Sequence, residues 1–153
     1  MTAPREYRFS VTRDDEVAIS TSPDHVPWSL RPAASGDALL LDEGGKARLA
    51  VRRLRRFPRL RYVLLARDEE LGTIEGLDIL RTRYLLRFKN APDRELHTPM
   101  FSARFGVFAG DVTRARIVML REHLWAILFE EDEDRPELIA ALARLLYARW
   151  HSE

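Results

Sequence analysis

Pro136-Glu-Leu-Ile-Ala-Ala-Leu-Ala-Arg-Leu-Leu-Tyr-Ala-Arg-Trp150 is the stretch that decides the architecture. Leu138, Ile139, Leu142, Leu145, Leu146 and Trp150 recur at helical spacing but spread beyond one stripe. A helix resting on a protein surface carries a polar back, whereas this one offers water only Arg144, Arg149 and its first turn, so it must be wrapped on several sides. Asp134 and Glu137 stand in the D-x-x-E relation of a capping box, and Pro136 falls in the first turn, where a missing N–H costs nothing. The acidic run Glu130-Glu-Asp-Glu-Asp134 lies at the positive end of the helix dipole. The apolar segment is shorter than the roughly 20 residues a bilayer span requires, and Arg144 interrupts it.

Upstream, apolar residues recur at every second position, the period of a strand. Tyr7, Phe9 and Val11 alternate with polar neighbours, and Val17 and Ile19 do so after the turn-like Arg13-Asp-Asp15. Ser22 to Pro27 reads as a loop, Trp28 and Leu30 begin a short strand, and Ala33 to Asp37 is another loop. Ala38–Leu41 and Ala47–Val51 flank Asp42-Glu-Gly-Gly45, a hairpin turn. Leu60, Tyr62, Leu64 and Ala66 lead to a turn at Arg67–Glu70, and Leu71–Ile74 returns. Strands are expected near Ile79–Arg81 and over Arg83–Lys89, a turn at Asn90–Asp93, then a strand-like stretch from Leu96 to Phe108 broken at Pro99. After a turn at Gly110-Asp111, Arg114–Leu120 and His123–Phe129 form the last pair. About eleven or twelve short strands therefore precede the helix.

Two hairpins match without gaps at a spacing of 43 residues: Tyr62-Val-Leu-Leu-Ala-Arg-Asp-Glu-Glu-Leu-Gly-Thr-Ile74 and Phe105-Gly-Val-Phe-Ala-Gly-Asp-Val-Thr-Arg-Ala-Arg-Ile117. The aromatic, the Ala-x-Asp, the small residue and the isoleucine coincide. Ala38 to Leu49 and Tyr7 to Ile19 carry weaker versions. Each unit makes sense as an alternating strand, an Asp suited to a turn, a small residue where strands crowd, and an apolar return.

This repeated pattern, followed by a final strand pair and an apolar C-terminal helix, resembles the tubby C-terminal-like superfamily, which includes the phospholipid scramblases and LURP-one-related proteins. The resemblance covers most of the chain. It implies a mainly β fold: one domain over residues 1–153, a closed antiparallel barrel of about twelve strands with the helix of residues 135–150 through its centre. It also implies contact with membrane phospholipids. The chain departs from scramblases in having no cysteine-rich segment and no proline-rich N-terminal extension, and its acidic run matches their calcium-binding segment only in position.

The 153 residues, 46% hydrophobic and 32% charged, suit one soluble domain. With no cysteine there is neither a disulfide scaffold nor thiolate chemistry, and the first residues form no apolar signal region, so a cytoplasmic location is expected, with peripheral membrane association if the lipid reading holds. Net charge is only +1, yet Lys46 to Arg61 holds eight basic residues and no acidic one. Within it, Arg52, Arg53, Arg55, Arg56, Arg59 and Arg61 surround a turn at Phe57-Pro58. These six arginines are the candidate site for anionic lipid headgroups, with Phe57 as an apolar tip. A solubilising hairpin whose arginines guard a sheet edge and pair with Asp68–Glu70 is the plainer reading. Nucleic acid suits them less, because no aromatic stacking motif accompanies them.

The acidic run lacks the alternation and glycine of a calcium loop, so a solvated, dipole-capping run explains it. His25, His97, His123 and His151 show no metal-ligand spacing. No nucleophile-and-base motif, paired carboxylates or phosphate loop is recognisable, and no catalytic residue, metal or cofactor is assigned. The expected function is a non-enzymatic binding or scaffold domain. The alternatives are a protein–protein interaction module, or a small-ligand carrier whose helix caps one end.

Overall fold

The computed structural model describes residues 4–78, 80–98 and 105–151. Twelve strands follow one another: β1 (Arg5–Val11), β2 (Val17–Ser20), β3 (Trp28–Pro32), β4 (Ala38–Asp42), β5 (Ala47–Arg55), β6 (Arg61–Ala66), β7 (Glu69–Gly76), β8 (Arg83–Phe88), β9 (Ala91–His97), β10 (Gly106–Ala109), β11 (Val112–Arg121) and β12 (Leu124–Phe129). A helix, α1 (Pro136–Trp150), follows them. Every strand pairs antiparallel with its sequence neighbours, and β1 also pairs with β12, from Arg5 opposite Phe129 to Ser10 opposite Leu124. The sheet is a closed barrel without a free edge.

Alternation dictates what fills it. Tyr7, Phe9, Val17, Ile19, Leu30, Leu40, Val51, Tyr62, Leu64, Ile74, Leu86, Leu96, Ile117, Ile127 and Phe129 point inward and form one core with the helix. Every residue from Leu138 to Ala148 is buried, so no face of α1 meets water along that length. The helix enters beside Phe88 and Arg94 and leaves beside the β1–β2 turn, where the Tyr147 hydroxyl donates to Asp15 at 2.7 Å and His151 Nε2 lies 2.8 Å from the same carboxylate. A cleft of about 410 Å³ lies on the outside of the barrel wall between Glu6, Arg8 and Ser20–Pro23.

The repeat has a structural counterpart. Leu64 pairs with Gly72 and Val107 with Ala115, and in both hairpins the register slips immediately afterwards. A third slip follows Leu40 in the β4–β5 hairpin. These bulges sharpen the bend of the sheet at equivalent points around the wall. The small residue is required by crowding: a Cβ on Gly72 would come 2.3 Å from the Arg87 carbonyl oxygen. The repeated Asp serves its turn in two ways. Asp42 Oδ1 accepts from the backbone N–H of Gly44 and Lys46 at 3.0 and 2.9 Å, whereas Asp68, with Arg67, adopts the positive φ of a two-residue hairpin turn.

Several expectations are corrected. Leu77, Asp78, Leu80 and Arg81 form a turn rather than a strand, with Asp78 accepting from the Thr82 N–H at 2.9 Å; Ile79 lies outside the described residues. The turn expected over Asn90–Asp93 is confined to Lys89 and Asn90, and β9 already contains Pro92 at an irregularity opposite β8, where a missing N–H breaks no ladder bond. The break at Pro99 lies outside the described residues. The helix N-cap is Arg135, without a side-chain cap, because the Asp134 carboxylate instead accepts from the Tyr7 hydroxyl at 2.6 Å and Arg5 at 3.1 Å. Arg144, expected in water, is 1% exposed: its Nε donates to the Gly36 carbonyl at 3.0 Å, and its guanidinium lies over the rings of Tyr62 and Tyr147.

Deleting the chain after Asp134 empties the barrel, and the expected outcome is loss of the cooperative thermal transition. Leu142, fully buried on α1, gives the graded version: Leu142→Ala should lower stability by about 2–5 kcal/mol in urea titrations. A truncated chain that still melts cooperatively would show that the sheet closes without its filling.

Candidate functional site

The topology sorts the turns. Those of β1–β2, β3–β4, β5–β6, β7–β8 and β11–β12 gather at the end of the barrel where α1 finishes; those of β2–β3, β4–β5, β6–β7, β8–β9 and β10–β11 gather where it starts. The arginine stretch occupies the first of these ends, running from the last part of β5 through the turn at Phe57–Arg59 into the start of β6.

Five of the six arginines, Arg52, Arg55, Arg56, Arg59 and Arg61, are exposed. Arg53 is different. Its position pairs with buried Tyr62, its N–H donates to Asp37 at 2.8 Å, and its guanidinium packs so closely on Gly36 that a Cβ there would lie 2.3 Å from Arg53 Cζ. A slip in register between Arg53 and Arg55 turns Leu54 outward, 54% exposed, and Arg55 Nε closes the turn by donating to the Arg59 carbonyl at 3.1 Å. Phe57 at the tip is 73% exposed. Of the acidic residues Asp68–Glu70 expected to pair with these arginines, Glu69 instead accepts from Lys89 at 2.8 Å. The residues therefore present several guanidinium groups around an apolar tip on a short, anchored turn, an arrangement able to meet phosphate oxygens.

The acidic run at the opposite end is not simply a solvated one. Glu133 is 3% exposed and accepts from Arg94 through both oxygens, Nη2 to Oε1 at 2.6 Å and Nε to Oε2 at 3.1 Å, and from Arg114 Nε at 2.9 Å. Burial opposes ionisation of this carboxyl, but the hydrogen bonds and charges of Arg94 and Arg114 outweigh it and hold it below the usual carboxylate range. Nearby, burial and the bond to Asp134 push the Tyr7 phenol up to about 12. Glu133 thus ties β9 and β11 to the segment that turns the chain into the barrel interior. Arginines occur on many of the strands, so nothing in the sequence singles out Arg94 and Arg114, which lie 39 and 19 residues from Glu133.

The histidines are apart. His25 Nδ1 lies 2.7 Å from Thr21 Oγ1 on the β2–β3 loop, His97 packs edge-on against Phe108, and His151 stacks on Tyr147. Among the described residues, no group of three His, Cys, Asp or Glu side chains is arranged to hold a metal ion. No described helix is long and apolar enough to cross a membrane.

No protein-family model matches the chain, and neither does any curated protein. The crystal structure of a protein from Arabidopsis thaliana is similar in fold, with a TM-score of 0.62 at 16% identity, covering 94% of this chain and 91% of that one.

Removing the buried carboxylate should be costly because it strands two guanidinium groups: Glu133→Gln is expected to lower stability by about 3–5 kcal/mol at pH 7. The folded-state pKa of Glu133 is below its unfolded value, so its stabilisation is present above the unfolded pKa and is lost as pH falls through the folded one. The gap in urea midpoint between wild type and Glu133→Gln should therefore narrow between pH 7 and pH 3. An unchanged gap would refute the role given to ionised Glu133.

Proposed function

We propose that this chain is a tubby C-terminal-like domain that binds, without catalysis, to anionic phospholipid headgroups at a membrane surface through its arginine turn. One observation carries the reading: exposed arginines ring a turn whose tip is an aromatic side chain held out in water, 73% exposed, where a solubilising hairpin would place a polar residue. The family part of the proposal rests on the repeated hairpins, and the barrel around an apolar helix supports it at the level of fold.

An interior filled by α1 also favours surface binding over carriage of a small ligand, since the space a ligand would need is occupied by Leu138, Leu142 and Leu146. Attachment through this turn is peripheral. Each basic residue near an anionic surface contributes about 1 kcal/mol, so a cluster gives useful affinity in dilute salt.

The test is co-sedimentation with liposomes of phosphatidylcholine alone or with phosphatidylserine or a phosphoinositide. Wild type should sediment only with the anionic ones, more weakly at 0.5 M salt than at the roughly 0.1 M where charges act over about 10 Å. Arg52→Ser, Arg56→Ser and Arg59→Ser combined should lower the partition by about 100-fold, the equivalent of about 3 kcal/mol. Arg53 is left in place because it packs on Gly36. Equal binding to neutral liposomes, or no binding, would remove the lipid reading.

A further inference from the structure

Two apolar side chains stand out close to Phe57, while Met119 and Leu120, also exposed, lie beside the β11–β12 turn on the far side of the same end of the barrel. Leu54 precedes the arginine turn and Leu80 caps the β7–β8 turn, 54% and 58% exposed. The two turns are neighbours: β6 and β7 are paired, and the Gly76 N–H donates to the Leu60 carbonyl at 2.8 Å just below them. Leu54, Phe57 and Leu80 therefore form a projecting apolar edge, with Arg55, Arg56 and Arg59 beside it. The carboxylates nearest these turns are occupied, Asp37 accepting the Arg53 N–H and Asp78 accepting from the N–H and hydroxyl of Thr82, whereas the exposed Asp14, Asp15 and Glu122 of this end belong to the β1–β2 and β11–β12 turns.

The opposite end has the reverse character. Its turns carry Asp24, Glu43, Asp68, Asp111, Glu131 and Asp132 in excess of Lys46, Arg67 and Lys89, and its exposed Val112 sits beside Asp111. A surface of negative charge attracts the arginine turn and repels the acidic end.

Building on the lipid reading above, we infer that Leu54, Phe57 and Leu80 are a membrane-inserting wedge: the barrel stands on an anionic bilayer, its arginine turn among the headgroups and these three side chains below them in the acyl boundary. Arginine guanidinium groups supply recognition of phosphate, and the apolar side chains supply attachment that salt does not screen, the two contributions that hold surface-bound segments at membranes. The bilayer is chosen over a protein groove by charge: projecting apolar tips flanked by the exposed Arg55, Arg56 and Arg59 match a surface with uniform negative headgroups over apolar chains. The acidic end, with the start of α1, then faces away from the membrane.

The chain has no cysteine, so a single cysteine can be introduced and labelled without background. Phe57→Cys, Leu80→Cys and Val112→Cys, each carrying an environment-sensitive nitrobenzoxadiazole label, are mixed with vesicles of phosphatidylcholine with 30% phosphatidylserine, and sedimentation of each labelled protein is measured in parallel. Labels at 57 and 80 should brighten at least twofold and shift to the blue, while the label at 112 stays as in water. In unlabelled protein, Phe57→Ser with Leu80→Ser should lower the partition at least tenfold and abolish what remains at 0.5 M salt. Sedimentation with all three labels unchanged would overturn the wedge and leave a purely electrostatic attachment. Brightening at 112 alone would overturn the orientation as well. If wild type does not sediment with these vesicles, the lipid reading itself fails and takes the wedge with it.

Discussion

The structure depends on one mutual requirement: a closed sheet of twelve strands encloses a space that must be filled, and an apolar helix needs cover on every side. Each supplies what the other lacks. The interior of a barrel this wide cannot be packed by its own inward side chains, while Leu138, Ile139, Leu142, Leu145 and Leu146 point in too many directions for any single sheet face to shield them. Burial of α1 solves both problems at once. It also explains why polar groups inside are so carefully placed, since Arg144 is kept in the core with the help of the Gly36 carbonyl and the faces of Tyr62 and Tyr147.

Much of the fold was legible because both of its periods are strong. Strand alternation identified β1 to β8 closely, apart from the supposed strand at Ile79–Arg81, and the all-round apolar character of α1 marked it as interior. What escaped reading was decided by partners distant in sequence. Arg144 looks like a surface residue until Gly36 and two tyrosines are beside it; Glu133 looks like one more solvated acid until Arg94 and Arg114 reach it; and the apparent capping box fails because Tyr7 and Arg5 claim Asp134. Pro92 disguised the start of β9 because proline usually marks a turn, whereas here it occupies an irregularity.

The arginine turn shows the same limit on a smaller scale. Composition alone groups six arginines together, but one slip in strand register separates them: Arg53 is drawn onto Gly36, and Leu54 is turned out in exchange. Composition therefore located the charge and Phe57, while the projecting edge formed with Leu80 depends on two turns that only the sheet brings side by side.

The place of α1 in chain order has a consequence for synthesis. The helix leaves the ribosome after all twelve strands, and the seam between β1 and β12 joins residues as far apart as Arg5 and Phe129. Until that last segment emerges, the nascent sheet has two raw edges and an inner face lined with Phe9, Ile19, Leu64 and Ile127 open to water. Contacts this remote in sequence also form slowly. The barrel is thus an architecture completed from its last elements backwards, its seam and its filling both waiting on β12 and α1.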